Sequence, residues 1–152
     1  MINTAPEFAV ISDTLYVDED DLWDYEIIAT DVDLGTISGD TLSYSIFSVV
    51  SEGASVSASD SMEVDPLTAI FDWTPMETRE FNDVGVHNIT AKVADYYGGE
   101  DDTTFVLVVR PVNDPPDSVS LLLPVDSTQL VPADGLLLTF EWNSAFDIEG
   151  DS

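Results

Sequence analysis

Residues 87–94 read HNITAKVA, and this stretch decides the fold class. His87, Ile89, Ala91 and Val93 occupy every second position, with Asn, Thr, Lys and Ala between them. A period of two places successive side chains on opposite faces of a β-strand, so we expect a strand with one buried face. His87 lies on that face, and we expect it at the rim of the core rather than in a metal site or a catalytic site.

The same alternation recurs in short segments on both sides of this strand, separated by Gly, Pro and polar turn residues. The predicted strands are residues 8–11 with 14–17 as a split first strand, 23–30, 42–47, 69–73, 87–94 and 103–110. Residues 48–62, rich in Ser and Ala, are expected to form a weak edge strand and a long loop. About seven short strands with turns between them predict an all-β chain that forms an antiparallel, immunoglobulin-like Greek-key β-sandwich.

A proline-rich stretch, Val112-Asn113-Asp114-Pro115-Pro116, ends this segment. Consecutive prolines remove two backbone donors and fix φ, which predicts a short, stiff connector. Beyond it we expect strands at residues 121–125 and 136–142, the latter buried, and so few strands do not close a sandwich. The predicted organisation is a β-sandwich over residues 1–112, a linker at 113–116 and the truncated start of a second β-sandwich module at 117–152.

The net charge of the chain limits the classes of partner that it can bind. The 31 acidic residues face only three basic ones, for a formal net charge of −28, which disfavours nucleic acid and anionic membranes. A hydrophobic content of 44% argues against disorder. The acidity has two explanations that are compatible with each other: adaptation to salty surroundings, or clustered carboxylates that bind cations.

The composition also bears on redox chemistry and on targeting. The chain has no cysteine, which excludes disulfides and thiolate metal sites. No segment approaches the roughly 20 apolar residues that span a bilayer, and the first residues lack the regions of a signal peptide. An export signal or an anchor is therefore expected only in a longer parent chain.

Acidic residues gather in the loops of the predicted sandwich. The loop with Asp31 and Asp33 and the loop with Asp95 leave their strands at the same end, and Asn3 enters the domain there. Ca²⁺ takes six to eight oxygen ligands from carboxylates, amides and carbonyls, so a convergence of these side chains suits it. The pattern around Asp31 and Asp33, in which a strand with an inward aromatic residue leads into an acidic-x-acidic loop, occurs again at Asp147 and Glu149. This recurrence indicates a tandem repeat of sandwich modules.

Six features in a fixed order resemble a cadherin-like repeat of the dystroglycan type. They are NTAPEF (3–8), Glu19, ATDVD (29–33), FDWTP (71–75), Ala94-Asp95 and VNDPP (112–116). The resemblance covers residues 3–116 and implies a cadherin-like sandwich. Residues 124–151 are similar to the opening of a fibronectin type III-like or related immunoglobulin-like module.

The resemblance also implies Ca²⁺ ions that stiffen the junctions between successive repeats. Carried over by position, the ligands toward a preceding repeat are Asn3, Asp31, Asp33 and Asp95, and those of the central junction are Glu19, Glu80, Asn113, Asp114, Asp147 and Glu149. Pro111 and Pro115 stand where the family has two oxygen donors. We therefore expect one or two weakly bound ions, with dissociation constants of roughly 10⁻⁴–10⁻³ M.

The function expected from this resemblance is a non-catalytic, calcium-binding adhesion or spacer module of a larger secreted or cell-surface protein. Its expected partners are neighbouring repeats of the same parent chain and another protein or a glycan at a cell surface, with no nucleic acid and no membrane insertion. Catalysis is disfavoured because the chain has one histidine and no cysteine, and no nucleophile elbow, phosphate loop or zinc motif.

Two alternatives stay open at this point. Tyr96, Tyr97 and Trp23 suit an accessory carbohydrate-binding module of an extracellular polysaccharide-degrading enzyme, because aromatic rings stack on sugars. The other alternative is a purely structural sandwich whose acidity reflects only a saline habitat.

Overall fold

A computed structural model describes residues 2–52, 62–78, 80–125 and 137–150. All the regular elements of these residues are β-strands, as predicted. The described ranges contain no helix of the length and apolarity needed to cross a membrane. The chain divides into two compact units, Met1–Val112 and Asn113–Ser152, and each is described by itself.

The first unit contains nine strands. They are β1 (Glu7–Phe8), β2 (Thr14–Asp18), β3 (Trp23–Glu26), β4 (Ala29–Thr30), β5 (Leu42–Glu52), β6 (Glu63–Val64), β7 (Ile70–Trp73), β8 (Gly85–Asp95) and β9 (Glu100–Arg110). One sheet has the order β2-β9-β8-β5 and another the order β3-β7-β6, while β1 pairs with β4. The chain passes from one of these three sheets to another after β1, β2, β3, β4, β5 and β7, and such crossings between sheets are typical of a Greek-key sandwich.

The core fills the space between the two larger sheets, where the alternating side chains meet. Every predicted inward residue of β8 is buried, and so are Phe105, Leu107 and Val109 of β9. Phe71 of β7 packs edge-on against Phe105, with ring centroids 5.9 Å apart. The period-two alternation therefore identified the buried faces of these strands.

His87 is fully buried, deeper than its predicted place at the core rim. Its Nε2 lies 2.7 Å from the carbonyl oxygen of Asp83, which can only accept, so Nε2 donates. Its Nδ1 lies 2.8 Å from Ser51 Oγ. The ring also packs edge-on against Trp73, and these contacts fit a core residue.

The structure refines the prediction at three strands. The predicted strand 23–30 is interrupted, with Ile27 N donating to Ala69 O between β3 and β4. β5 runs on to Glu52 through a register shift between Ile46 and Ser48, while residues 53–61 of the predicted edge region lie outside the described ranges. β2 pairs with β9 in parallel, although the other pairings are antiparallel.

The second unit is a small antiparallel pair of strands, β10 (Leu121–Leu123) and β11 (Glu141–Trp142). The prediction of a buried strand at residues 136–142 is wrong: the described strand is two residues long, and Trp142 is 60% exposed. Residue 136 itself lies outside the described residues. A strand buries a face only against a second layer, and none of the described residues of this unit forms one over β11.

Candidate metal centre

The loop after β4 carries Asp31 and Asp33 in a tight arrangement. Asp31 Oδ1 accepts a hydrogen bond from the backbone N–H of Asp33, with a distance of 2.7 Å. The carbonyl oxygen of Asp33 accepts from Thr36 N at 2.8 Å and from Ile37 N at 3.0 Å. The first bond forms because an Asp side chain readily accepts from the backbone N–H two residues on, and the other two are backbone bonds of the turn that follows; together they fix the backbone of Asp33 at the end of the sandwich.

The hairpin between β8 and β9 holds Asp95. Asp95 Oδ1 accepts hydrogen bonds from Tyr97 N at 2.7 Å and from Gly99 N at 2.9 Å. Gly98 has a φ of 93°, which side-chain-bearing residues rarely adopt. A Cβ on Gly99 would collide with Asp95 Oδ2 and would lie 2.7 Å from Ala5 Cα. The two glycines therefore let the hairpin close around the Asp95 carboxylate.

The N-terminal segment links these two loops. Asn3 Nδ2 donates to Asp95 Oδ2 at 2.8 Å, and Thr4 N donates to Asp33 Oδ2 at 2.7 Å. The structure thus brings Asn3, Asp33 and Asp95 together, with Asp31 bonded to Asp33. We call the group Asn3, Asp31, Asp33 and Asp95 the N-terminal pole.

The N-terminal pole combines buried charge with oxygens that lack donors. Asp33 is 8% exposed and Asp95 is 7% exposed. Two further oxygens, Asn3 Oδ1 and Asp31 Oδ2, are buried and have no hydrogen-bond partner among the described residues. Buried acceptors without donors are costly, so this group fits a cation with oxygen ligands.

The pKa of Asp95 shows how the backbone favours its charged form. Burial raises the pKa, but hydrogen bonds from Asn3, Gly99, Tyr97 and Gly98 outweigh burial and hold the pKa below its usual value. Among the described residues, no three carboxylates of this pole have oxygens that all lie within 4.8 Å of one another. A cation that binds here would therefore draw its ligands closer together.

Asp40 is a buried acid that the sequence reasoning missed. It is 7% exposed, and both of its carboxylate oxygens lack a hydrogen-bond partner among the described residues. A signal was present in the alternation: Asp40 precedes the inward residues Leu42 and Tyr44 at the same period of two.

The opposite end of the first unit places Glu19 beside Glu77. Glu19 is 2% exposed, and its Oε1 accepts a hydrogen bond from Val112 N at 2.7 Å. A carboxylate oxygen of Glu77 lies within 4.8 Å of one of Glu19. We call the pair Glu19 and Glu77 the opposite pole.

Glu77 was also missed, because the motif match pointed to Glu80. The structure places Glu80 in an exposed turn, where its backbone N–H donates to Thr78 Oγ1. The signal for Glu77 was again alternation, since Phe71, Trp73 and Pro75 are buried and Glu77 follows at the same spacing. The structure does not group Glu80 with Glu19 and Glu77.

The other predicted ligands belong to the second unit. Asp114 N donates to Glu149 Oε1 at 3.2 Å, and Asn113 Nδ2 donates to the Asp114 carbonyl oxygen at 3.1 Å. Asp147 Oδ1 is buried without a hydrogen-bond partner among the described residues. Asp114 and Glu149 are thus brought together within this unit, and the ligand role of all four residues stays a prediction.

Solved structures provide the comparison that decides the fold family. The extracellular cadherin domains 3–6 of protocadherin gamma B2 match 80% of this chain with a TM-score of 0.51 and 21% identity. The fold is cadherin-like. The extracellular domain of protocadherin gamma B4 matches 95% of the chain with a TM-score of 0.50 and 16% identity.

The cadherin-like chain spans 28% and 24% of the lengths of those two structures. At such identities the likeness establishes the fold and not the function. No protein-family model matches the sequence, and no curated protein sequence matches it. The dystroglycan-type assignment and the nature of the second module stay predictions.

Proposed function

We propose that this chain is a non-catalytic, calcium-binding cadherin-like repeat that serves as an adhesion or spacer module of a larger secreted or cell-surface protein. Its proposed partners are neighbouring repeats of the same parent chain and a protein or glycan at a cell surface. The proposal includes Ca²⁺ at the N-terminal pole and, more weakly, at the central junction formed by Glu19, Glu80, Asn113, Asp114, Asp147 and Glu149.

One observation carries the proposal: Asn3, Asp31, Asp33 and Asp95 converge, and Asn3 Oδ1 and Asp31 Oδ2 are left buried without donors. Carboxylate and amide oxygens are hard ligands, and Ca²⁺ accepts many of them in irregular geometry. Soft transition metals are poorer candidates because the chain has no cysteine and its one histidine is bonded inside the core.

Electrostatics gives the ion a mechanical role. Two like charges about 4 Å apart repel by roughly 4 kcal/mol at an intermediate dielectric. With a net charge of −28, acidic ends of adjoining repeats would push each other apart. A bound divalent cation neutralises that repulsion and crosslinks the loops, so the junction becomes stiff.

Thermal unfolding in a Ca²⁺ titration tests the proposal. We expect the melting temperature to rise at millimolar Ca²⁺, because an ion that binds only the folded state stabilises it. The double variant Asp31→Ala with Asp33→Ala should lose that rise. An unchanged melting temperature in the unmodified chain would refute calcium binding.

The carbohydrate-binding alternative is weakened by one of its three aromatic residues. Trp23 is 6% exposed and stacks on Tyr25 in the core, so it offers no surface to a sugar. Tyr96 and Tyr97 are exposed, but their rings are nearly perpendicular, at 87°, and form no flat platform. A glycan array in which Tyr96→Ala abolishes binding without any Ca²⁺ dependence would restore this alternative.

A further inference from the structure

The outer face of the sheet β2-β9-β8-β5, on the side away from the core, contains a groove of about 520 Å³. Residues of β8 and β9 that alternate with its lining residues are buried in the core, so the lining side chains point outward. The volume lies within the range of small-molecule sites, roughly 300–1,000 Å³. We call it the outer groove, and the side chains that matter for its chemistry are Phe47, Thr90, Lys92, Glu100, Asp102 and Thr104.

Phe47 lines the outer groove because of an irregularity in β5. Ile46 and Ser48 pair with consecutive residues of β8, so Phe47 between them is an extra residue in the ladder. Such a bulge bends the strand and redirects a side chain. Phe47 is 71% exposed, although phenylalanine is usually buried. A bulge at a sheet edge hinders pairing with another strand whatever its side chain is, so protection of the edge explains the bulge but not the aromatic ring.

The polar side chains of the outer groove offer both donors and acceptors. Thr90 Oγ1 and Thr104 Oγ1 lie 2.9 Å apart, and because only one of them donates in this bond, the other hydroxyl hydrogen stays available. The Lys92 ammonium has three N–H donors, and its ion pair with Glu100 at 2.5 Å needs only one of them. The Asp102 carboxylate is exposed and has no hydrogen bond or ion pair with the described residues. The groove therefore combines an aromatic surface with polar groups that a ligand can engage.

These features favour one class of ligand. An extended peptide cannot add as a strand, because β8 and β9 are paired on both sides and their backbone groups are already bonded. The carboxylates of Glu100 and Asp102, in a chain of net charge −28, repel anionic ligands. An apolar ligand would leave the charged groups without water or partners. A neutral saccharide suits the groove, because C–H groups on a sugar ring contact an aromatic face and its hydroxyl groups both donate and accept.

We infer that the outer groove binds a neutral saccharide, with a sugar ring against Phe47 and with sugar hydroxyl groups hydrogen-bonded to Lys92 and Asp102. The inference rests on the proposed function, which includes a glycan partner, and it names the surface and the chemical class of that partner. No residue of the N-terminal pole lines the groove, so saccharide binding here does not require Ca²⁺.

Affinity electrophoresis of the full chain, in chelator and in gels that contain β-glucan, xylan or galactomannan, tests the inference. We expect at least one of these neutral polysaccharides to slow the chain, and we expect polygalacturonate, which is acidic, to have no effect. Phe47→Ala should weaken the binding by about tenfold, because the stacking surface is lost. Phe81→Ala is the matched control: it makes the same change at an exposed phenylalanine outside the groove and should leave binding unchanged. Asp102→Ala, on another strand, should also weaken binding, because an acceptor is lost.

Several results would overturn the inference. They are no retardation by any of the three neutral polysaccharides, retardation by polygalacturonate, and equal losses from Phe47→Ala and Phe81→Ala. Binding that Tyr96→Ala abolishes and Phe47→Ala leaves intact would overturn it too, because the saccharide would then lie on the tyrosine pair. If Phe47→Ala lowers the melting temperature, Asp102→Ala decides. A chain that binds a neutral polysaccharide in chelator but shows no Ca²⁺ response keeps the outer groove and loses the proposed calcium site, so the two failures are distinguishable.

Discussion

The two ends of the first unit differ in how they hold their acids. At the N-terminal pole, two loops and the N-terminal segment converge, and backbone N–H groups aim at Asp33 and Asp95. At the opposite pole, the carboxylate of Glu19 accepts one hydrogen bond from the backbone N–H of Val112, and it lies beside the carboxylate of Glu77. The comparison teaches that acidity alone does not mark a binding site. Backbone donors orient the carboxylates, and the buried oxygens that remain without donors are the ones available to a cation.

The largest expected effect is the loss of Ca²⁺ stabilisation when the N-terminal pole is altered. With free Ca²⁺ at about 100 times its dissociation constant, binding adds about 2.7 kcal/mol to the free energy of unfolding. We expect Asp33→Asn to remove most of this gain and Glu19→Gln to remove little, as measured by urea unfolding with and without Ca²⁺. A larger loss from Glu19→Gln would reverse the comparison.

Gly99→Ala should disturb the N-terminal pole without changing a single ligand. A Cβ there meets Asp95 Oδ2 and the Ala5 backbone, so we expect a destabilisation of roughly 2 kcal/mol together with a weaker Ca²⁺ response. Gly98→Ala is the control, because nothing lies within 4 Å of its Cβ and only backbone strain results. Denaturant unfolding of both variants provides the check, and equal Ca²⁺ responses would show that Asp95 is not displaced.

Sequence reasoning succeeded where one physical rule dominates. The period of two identified the buried faces of β8 and β9, since a sheet that covers a core buries every second residue. The convergence of Asn3, Asp33 and Asp95 could be predicted because their loops leave the strands at the same end of the sandwich. Their individual hydrogen bonds could not be predicted, because those within the Asp95 hairpin depend on the loop geometry around Gly98 and Gly99, and those from Asn3 and Thr4 depend on the path of the N-terminal segment.

The misses arose where a motif was followed instead of the alternation. The match to a family glutamate selected Glu80, although the inward row of β7 leads through Pro75 to Glu77. Asp40 was not singled out, although it lies two residues before Leu42 and continues the inward row of β5. In the second unit, aliphatic alternation predicted burial, but burial requires a facing layer that alternation alone does not provide.

A smaller change in the free energy of unfolding is expected from Glu77→Gln, which tests the opposite pole. Without Ca²⁺, we expect this variant to raise the free energy of unfolding by about 0.5–1 kcal/mol, because it removes repulsion from Glu19 while an amide oxygen can still accept from Asn82. Glu80→Gln, in its exposed turn, should change stability by less than about 0.5 kcal/mol. Urea unfolding in chelator measures both variants. Equal effects would mean that Glu77 is not repelled by Glu19 more than an exposed acid such as Glu80 is.

The smallest expected effect is the acid dependence at Asp95. Its lowered pKa means that its contribution to stability is present above the unfolded-state value, about 3.9, and is lost as the pH falls through the lower folded-state value. In chelator, the stability difference between the unmodified chain and Asp95→Asn should therefore be constant near neutral pH and shrink below about pH 4. A difference that persists unchanged to pH 2 would contradict the charged role of Asp95.

Amide NMR during a Ca²⁺ titration tests the location of the ion most directly. Thr4, Tyr97 and Gly99 donate to carboxylates of the N-terminal pole, while Val112 donates to Glu19 at the opposite pole. A cation that engages those carboxylates changes the field at the donating amides. We predict the largest shifts at Thr4, Tyr97 and Gly99, saturating together at millimolar Ca²⁺. Shifts confined to Val112 and its neighbours, or no shifts at all, would contradict calcium binding at the N-terminal pole.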